Sequence, residues 1–157
     1  MEKSVSVVNE LLVELFNDAL SIEQDVIQKG AFKDISVTEI HTIAAIGMYI
    51  PKNMTEVAGD LGITVGTLTI AINNLVKKGY VQRKKTEKDR RIVQLELTRK
   101  GKVAYRIHEK FHSDMVKASV EGLSPQEEEI LVRSLKKLSE FFKNKYGFAD
   151  NKGKERA

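Results

Sequence analysis

The sequence predicts a mainly helical fold with one small β-hairpin, an α+β arrangement in a single domain. Three observations support this prediction: apolar residues recur every three or four positions, two helical segments flank a glycine, and one segment alternates apolar and polar residues. The 157 residues suit one domain with a buried core, and a composition of 41% hydrophobic and 31% charged residues is globular. The lack of Cys excludes disulfides, thiolate zinc sites and cysteine catalysis.

The first two helices are predicted from apolar spacing and a capping motif. Residues 5–28 place apolar side chains on one helical face, and Gly30 ends the helix. Ser36-Val37-Thr38-Glu39 is a capping box, in which the Ser oxygen accepts the N–H three residues on and the Glu carboxylate accepts the Ser N–H. It begins a second helix that ends before Pro51.

Two more helices are separated by a glycine turn. Thr55 is predicted to cap a short helix that Gly62 ends, with Val57, Ala58 and Leu61 facing inward. Thr64 caps the next helix, which ends before Gly79 and whose inward side chains are Leu68, Ile72 and Leu75. A helix of about seven residues, a glycine turn and a helix of about fourteen have the spacing of a helix-turn-helix.

A β-hairpin and two long helices complete the predicted elements. Residues 80–85 and 92–97 are predicted as antiparallel strands around a charged loop, which makes the helix-turn-helix a winged one. Thr98 begins a long helix that Gly122 ends, and a second capping box at residues 124–127 begins the last helix. The polar residues 147–157 are predicted to form a flexible tail.

Positive charge is concentrated in one part of the chain. Residues 77–106 hold twelve Lys or Arg and three Asp or Glu, a net charge of +9, whereas the rest of the chain has a net charge of −5. Such a distribution suits a surface that binds a polyanion, with a solvated charged face as the alternative. Since no apolar run reaches the roughly 18 residues of a membrane-spanning helix, we expect a cytoplasmic protein with no membrane contact.

Three segments together resemble the MarR family of winged-helix regulators. They are Thr55-to-Gly79, Asp89-Arg90-Arg91 at the hairpin tip, and Leu97-Thr98-Arg99-Lys100-Gly101. Residues 32–36, 39–43, 65–69 and 73–75, with YRIHEKFH at 105–112, are most similar to members that repress fatty-acid biosynthesis in Gram-positive bacteria. The resemblance implies one domain over residues 1–146, with a winged lobe over 36–98. It also implies that helices at 4–29 and 99–146 interlock two chains into a homodimer.

This resemblance and the charge distribution predict binding to double-stranded DNA. The outward face of the helix from Thr64 has no Arg or Lys before Lys77, which favours an A·T-rich inverted repeat, because Asn amides read adenine and apolar groups contact the thymine methyl. In the family, the arginine of Asp-x-Arg enters the minor groove, and that position is Arg91 here. The predicted DNA-contacting residues are Thr64, Val65, Gly66, Thr67, Thr69, Ile70, Asn73, Asn74, Lys77, Lys84, Lys85, Lys88, Asp89, Arg90 and Arg91.

The resemblance also implies an effector. It would be a long-chain acyl group on acyl carrier protein, acting as corepressor of fatty-acid biosynthesis genes. The alternative is a MarR-type regulator of other genes that a small lipophilic or aromatic ligand releases. Candidates for lining an effector pocket are Ile22, Ile40, Ile43, Phe111 and Met115, although Met and Phe at helical spacing more often belong to an ordinary core.

One motif points to a different class of protein. His108-Glu109-Lys110-Phe111-His112 matches H-E-x-x-H, in which two His bind zinc and the Glu is the general base of a hydrolase. A catalytic site needs a third ligand, which here is limited to His41 or a carboxylate. Because the motif lies in a predicted dimer helix, a zinc hydrolase is a distant alternative and a regulatory metal site at His108 and His112 is a second one. We expect no enzymatic activity, no cofactor and no metal.

Overall fold

The computed structural model describes residues 2–85 and 91–146. The predicted wing residues Lys88, Asp89 and Arg90 and the predicted tail over 147–157 lie outside these residues. The elements in chain order are α1 (Glu2–Lys29), α2 (Val37–Ile46), β1 (Lys52–Asn53), α3 (Met54–Leu61), α4 (Val65–Lys77), β2 (Val81–Lys85), β3 (Val93–Leu97), α5 (Arg99–Val120) and α6 (Pro125–Tyr146). The prediction of a mainly helical winged helix-turn-helix is therefore confirmed.

Short polar motifs begin the helices. In the box that begins α2, the Ser36 N–H donates to Glu39 Oε2 at 2.9 Å and the Glu39 N–H donates to Ser36 Oγ at 3.2 Å. Thr64 caps α4, and Thr98 caps α5 by accepting the Gly101 N–H at 3.1 Å. Gly62, in the left-handed region at φ 66° and ψ 30°, ends α3 and forms the turn before α4.

The predicted cap of α3 was wrong. Asn53, not Thr55, is the N-cap: its side chain accepts the Glu56 N–H at 3.0 Å, and its own N–H donates to Glu56 Oε2 at 2.7 Å. This complete capping box satisfies two backbone N–H groups, so the helix begins before Thr55, which lies within it.

Three antiparallel strands form the sheet, in the order β1-β3-β2. Val81 pairs with Leu97 and Lys85 with Val93, which confirms the predicted hairpin. The two-residue β1 adds a third strand, with Lys52 opposite Leu95. Two residues are too short for an alternating pattern, so this strand is not predictable from apolar spacing.

The core lies between α2, the helix-turn-helix and the sheet. Fully buried side chains from these elements include Ile43, Val57, Leu68, Ile72 and Leu75. Tyr80 is also fully buried and packs edge-on against Phe32, with ring centroids 5.9 Å apart. This core fixes the orientation of α4.

The three long helices are much less buried. Every residue of α6 is exposed or half-buried, and α1 and α5 leave many large apolar side chains exposed. Examples are Val5, Val8, Leu11, Leu15, Phe16, Val103, Met115, Val116, Ile130, Leu135 and Phe141. Within the described residues, no single helix has the length and hydropathy of a membrane span, and α3 and α4 reach them only as a pair bent by 106°.

Candidate nucleic-acid interface

Helix α4 presents one polar face to solvent. Its inward side chains, Leu68, Ile72 and Leu75, are fully buried and anchor the helix on the core. The predicted contact residues Val65, Gly66, Thr67, Ile70, Asn73, Asn74 and Lys77 are exposed, as is the cap Thr64, whereas Thr69 is half-buried. Because a major groove about 12 Å wide admits a helix, this arrangement leaves a face that can reach base edges.

Three hydroxyls at the start of α4 have partners within the helix itself. Thr64 Oγ1 accepts the Thr67 N–H at 3.1 Å and lies 2.9 Å from Thr67 Oγ1. The Thr69 hydroxyl donates to the Val65 carbonyl at 2.8 Å. These hydroxyls thus have partners within the helix, and the exposed amide of Asn74 is a donor–acceptor group on this face that can read adenine through both of its polar atoms.

Arg83 on β2 reaches the exposed face of α4 and is not among the site residues predicted from the sequence. Its Nη2 donates to Asn73 Oδ1 at 2.7 Å. Side chains alternate along a strand, so Arg83 shares the face of β2 that carries the buried Val81, and the nearby α4 lies on that side. A guanidinium therefore stands beside a helix face that has no arginine of its own.

The remaining described wing cations are arranged differently. Lys84 points to the opposite face of β2 and lies 3.4 Å from Glu96 Oε1, where Gln82 also contacts Glu96. Lys85 and Arg91 are exposed at the two ends of the described hairpin. The other predicted tip residues, Lys88, Asp89 and Arg90, lie outside the described part of the chain.

Part of the basic segment holds the lobe together instead of facing outward. Lys78 Nζ lies 2.8 Å from both carboxylate oxygens of Glu39 on α2. Lys100 Nζ lies 4.0 Å from the centre of the Tyr80 ring and 3.2 Å from Asp34 Oδ2. The positive charge of these two lysines is therefore partly balanced by the carboxylates of Glu39 and Asp34.

Tyr80 and Asp34 form a charge-assisted contact behind the interface. The Tyr80 hydroxyl donates to Asp34 Oδ1 at 2.5 Å. This hydrogen bond, with a further one from Lys100, lowers the pKa of Asp34, whereas burial and the same carboxylate raise the pKa of Tyr80. The contact fastens the loop before α2 to the end of the helix-turn-helix.

The predicted effector residues do not all share one cavity. A cavity of about 30 Å³ lies between α1, α2 and α5, and Ile40 and Phe111 line it. Ile43 is fully buried in the core, and Ile22 and Met115 are about half exposed. The space is that of about one water molecule, whereas ligand sites measure roughly 300–1,000 Å³.

The position of the Glu109 side chain argues against hydrolase activity at the H-E-x-x-H motif. Glu109, the residue that would act as general base, is exposed and accepts a hydrogen bond from the Tyr105 hydroxyl at 3.4 Å. It is absent from the group of residues whose ligating atoms converge around His108 and His112.

Comparison with known proteins gives consistent matches. The family model described as MarR family matches residues 35–93. The HTH-type transcriptional regulator YfiV of Bacillus subtilis is 30% identical over 112 residues, which span 71% of this chain and 69% of YfiV. The HTH-type transcriptional regulator SarZ of Staphylococcus haemolyticus is 34% identical over 103 residues, 66% of this chain and 69% of SarZ. The crystal structure of Streptococcus pneumoniae FabT in complex with DNA superposes with a TM-score of 0.80 at 38% identity, covering 89% of this chain and 98% of FabT.

Proposed function

Because this chain belongs to the MarR family of winged-helix transcriptional regulators, we propose that it is a repressor of fatty-acid biosynthesis genes with a long-chain acyl-acyl carrier protein as its corepressor. The chain is a DNA-binding regulator of the MarR type and not an enzyme. The fatty-acid role is supported by the motifs that resemble fatty-acid-biosynthesis repressors and by 38% identity to FabT over nearly all of its length. A DNA-binding regulator works where the DNA lies, so we propose a cytoplasmic location.

The observation that carries the DNA-binding proposal is the pairing of Asn73 with Arg83. It joins the exposed face of α4 to the wing, so that helix and hairpin form one continuous surface. We assign base reading to Asn73, Asn74, Val65 and Ile70, because amides and apolar side chains recognise adenine and the thymine methyl. We assign phosphate and minor-groove contact to Lys77, Lys85 and the hairpin tip with Arg91.

A homodimer follows from the exposed apolar stripes. The large apolar side chains that α1, α5 and α6 leave exposed form a surface typical of protein interfaces. A two-fold axis would pair two copies of α4 with the half-sites of an inverted repeat. Light scattering should give twice the mass of one chain, and a monomer at micromolar concentration would contradict the dimer.

The acyl chain needs more room than one protomer provides. The cavity of about 30 Å³ must enlarge by separation of α1 and α5, or the second chain must complete the pocket. Of the candidate effector residues, Ile40 and Phe111 already line this cavity, and Ile22 and Met115 lie exposed on the helices that would meet a second chain.

Selection of bound genomic fragments, with and without acyl-acyl carrier protein, tests the proposal. We expect an A·T-rich inverted repeat upstream of lipid-synthesis genes, recovered more efficiently with the acylated carrier. Unacylated carrier protein is the matched control, because it supplies the same acidic surface without the chain. Enrichment near unrelated genes, or equal recovery with both carriers, would favour a regulator that answers a small lipophilic ligand.

A further inference from the structure

Four side chains from three helices converge away from the DNA-reading face. Glu23 lies on α1, His41 on α2, and His108 and His112 lie one turn apart on α5. One ligating atom from each lies within 4.8 Å of those of the other three. The chain contains three histidines in all, and the fold brings every one of them to this place.

The carboxylate of Glu23 is the centre of the group. Its Oε1 lies 3.0 Å from His41 Nε2, 2.9 Å from His108 Nδ1 and 3.6 Å from His112 Nε2. Ligand atoms around a tetrahedral ion with bonds of 2.0–2.1 Å are about 3.3 Å apart. The three distances from Glu23 are close to this spacing, and all four ligating atoms lie within 4.8 Å of one another.

His108 contributes a buried nitrogen that lacks a partner. Its side chain is 10% exposed, and its Nδ1 has no hydrogen-bond partner among the described residues, because the short approach to Glu23 lacks hydrogen-bond geometry. A buried nitrogen without a hydrogen-bond partner is costly, and a metal ion bound in the group would satisfy it.

We propose that Glu23, His41, His108 and His112 bind one Zn²⁺ ion per chain. Three imidazoles and one carboxylate suit Zn²⁺, whereas Mg²⁺ and Ca²⁺ prefer oxygen ligands throughout. Four protein ligands fill a tetrahedral shell, which leaves no position for the water that a hydrolase needs. The site is therefore structural or regulatory, and it departs from the expectation of no metal drawn from the sequence.

The position of the site gives the ion a mechanical role. It joins α1, α5 and α2, and α2 also carries Glu39, which contacts Lys78 at the end of α4. An ion that binds the folded protein and not the unfolded chain stabilises the fold by mass action. Zinc would thus fasten the two long helices to the helix that supports the DNA-reading lobe.

Metal titration of the untagged, chelator-stripped full chain tests the proposal. We expect one Zn²⁺ per chain in competition with a chromophoric chelator, a higher melting temperature with Zn²⁺ and not with Mg²⁺, and the intense visible absorption of tetrahedral Co²⁺. His41→Ala and His112→Ala remove ligands whose side chains are 42% and 44% exposed, so both variants should fold. Each variant should weaken Zn²⁺ binding by more than about 10- to 100-fold, which is the loss of affinity expected when a residue that only supports a ligand is mutated.

Glu109→Gln is the matched control, because Glu109 lies on the same helix between the two histidines and outside the group. It should bind Zn²⁺ as tightly as the parent protein. The proposal is overturned if the parent binds less than one Zn²⁺ per chain, or if His41→Ala and His112→Ala keep parental affinity. DNA binding by the zinc-free protein is measured separately, so either proposal can fail without the other.

Discussion

Lys78 contacts both carboxylate oxygens of Glu39 at 2.8 Å, which joins the end of α4 to the first turn of α2. The pair is largely shielded from solvent, with the Glu39 side chain 11% exposed and that of Lys78 32% exposed. Glu39 also caps α2 through the Ser36 N–H. One carboxylate therefore orders the start of the supporting helix and the end of the DNA-reading helix.

Glu39→Gln should destabilise the fold by about 1.5–3 kcal/mol, the range for hydrogen bonds to charged groups, because it removes the charge and keeps an amide that can cap the helix. Urea unfolding measures the change. Glu56→Gln is the control, since Glu56 holds the equivalent place in the exposed capping box of α3. Equal losses in the two variants would assign the effect to capping and not to Lys78.

Arg83→Ala should weaken binding to the selected operator by about 1–3 kcal/mol, the range for loss of one base contact, which here is that of Asn73. The reason is that Arg83 stands beside the exposed face of α4 and fixes Asn73. Fluorescence anisotropy at one fixed salt concentration measures it. Lys84→Ala removes a neighbouring cation that faces Glu96, and we expect a smaller loss. The role of Arg83 is wrong if both variants lose the same amount.

Arg91→Ala and Asn74→Ala should separate electrostatic binding from base reading. Removing the arginine should weaken specific and non-specific DNA alike and reduce the salt slope by about 0.9. Removing the amide should weaken the selected operator and leave the slope unchanged. Binding isotherms at several salt concentrations measure both. An unchanged slope for Arg91→Ala would remove this residue from the phosphate contacts.

Gly101→Ala should lower the free energy of unfolding by at least about 1–3 kcal/mol, which is the usual cost of adding a carbon atom to a well-packed site. A Cβ atom there would lie 2.1 Å from the Tyr80 carbonyl oxygen, so α5 would have to shift. Gly59→Ala adds the same methyl group to helix α3 where no atom lies within 4 Å, and it should stabilise by up to about 1 kcal/mol through helix propensity. Thermal unfolding of both variants checks the contrast; destabilisation of both would contradict it.

Acid should weaken the contact between Tyr80 and Asp34. The folded state lowers the pKa of Asp34 below its ordinary 3.8, first through the Tyr80 hydroxyl, so the carboxylate stabilises the fold above that value. This contribution is lost as the pH falls through the lowered pKa of the folded state. Tyr80→Phe should reduce the pH dependence of the free energy of unfolding below about pH 4. Urea unfolding between pH 3 and pH 7 measures it, and an acid dependence equal to that of the parent would exclude the contact as its source.

Local signals predicted most of the fold. A capping box satisfies backbone groups within four residues, so Ser36 and Ser124 mark helix starts whatever surrounds them. The same logic applies to Asn53-x-x-Glu56, although the predicted cap of this helix is Thr55. Strand β1 left no such signal, because its two residues become a strand only by pairing with β3.

The site depended on contacts that no local pattern contains. Arg83 became a candidate because buried Val81 fixes which face of β2 meets α4. Glu23 and His41 meet His108 from helices far apart in the chain. One clue was available: Glu23 lies four residues before buried Ile27, on the inward stripe of α1, where a carboxylate needs a partner.

The close fit of Gly101 against Tyr80 holds the first turn of α5 against the DNA-reading lobe. The helix has 22 residues and is about 33 Å long at 1.5 Å per residue. Its first turn packs directly on the DNA-reading lobe, because the backbone of Gly101 lies against the Tyr80 carbonyl group. In the proposed dimer, a tilt of the distal end of α5 would therefore move the lobe with it and change the distance between the two DNA-reading helices.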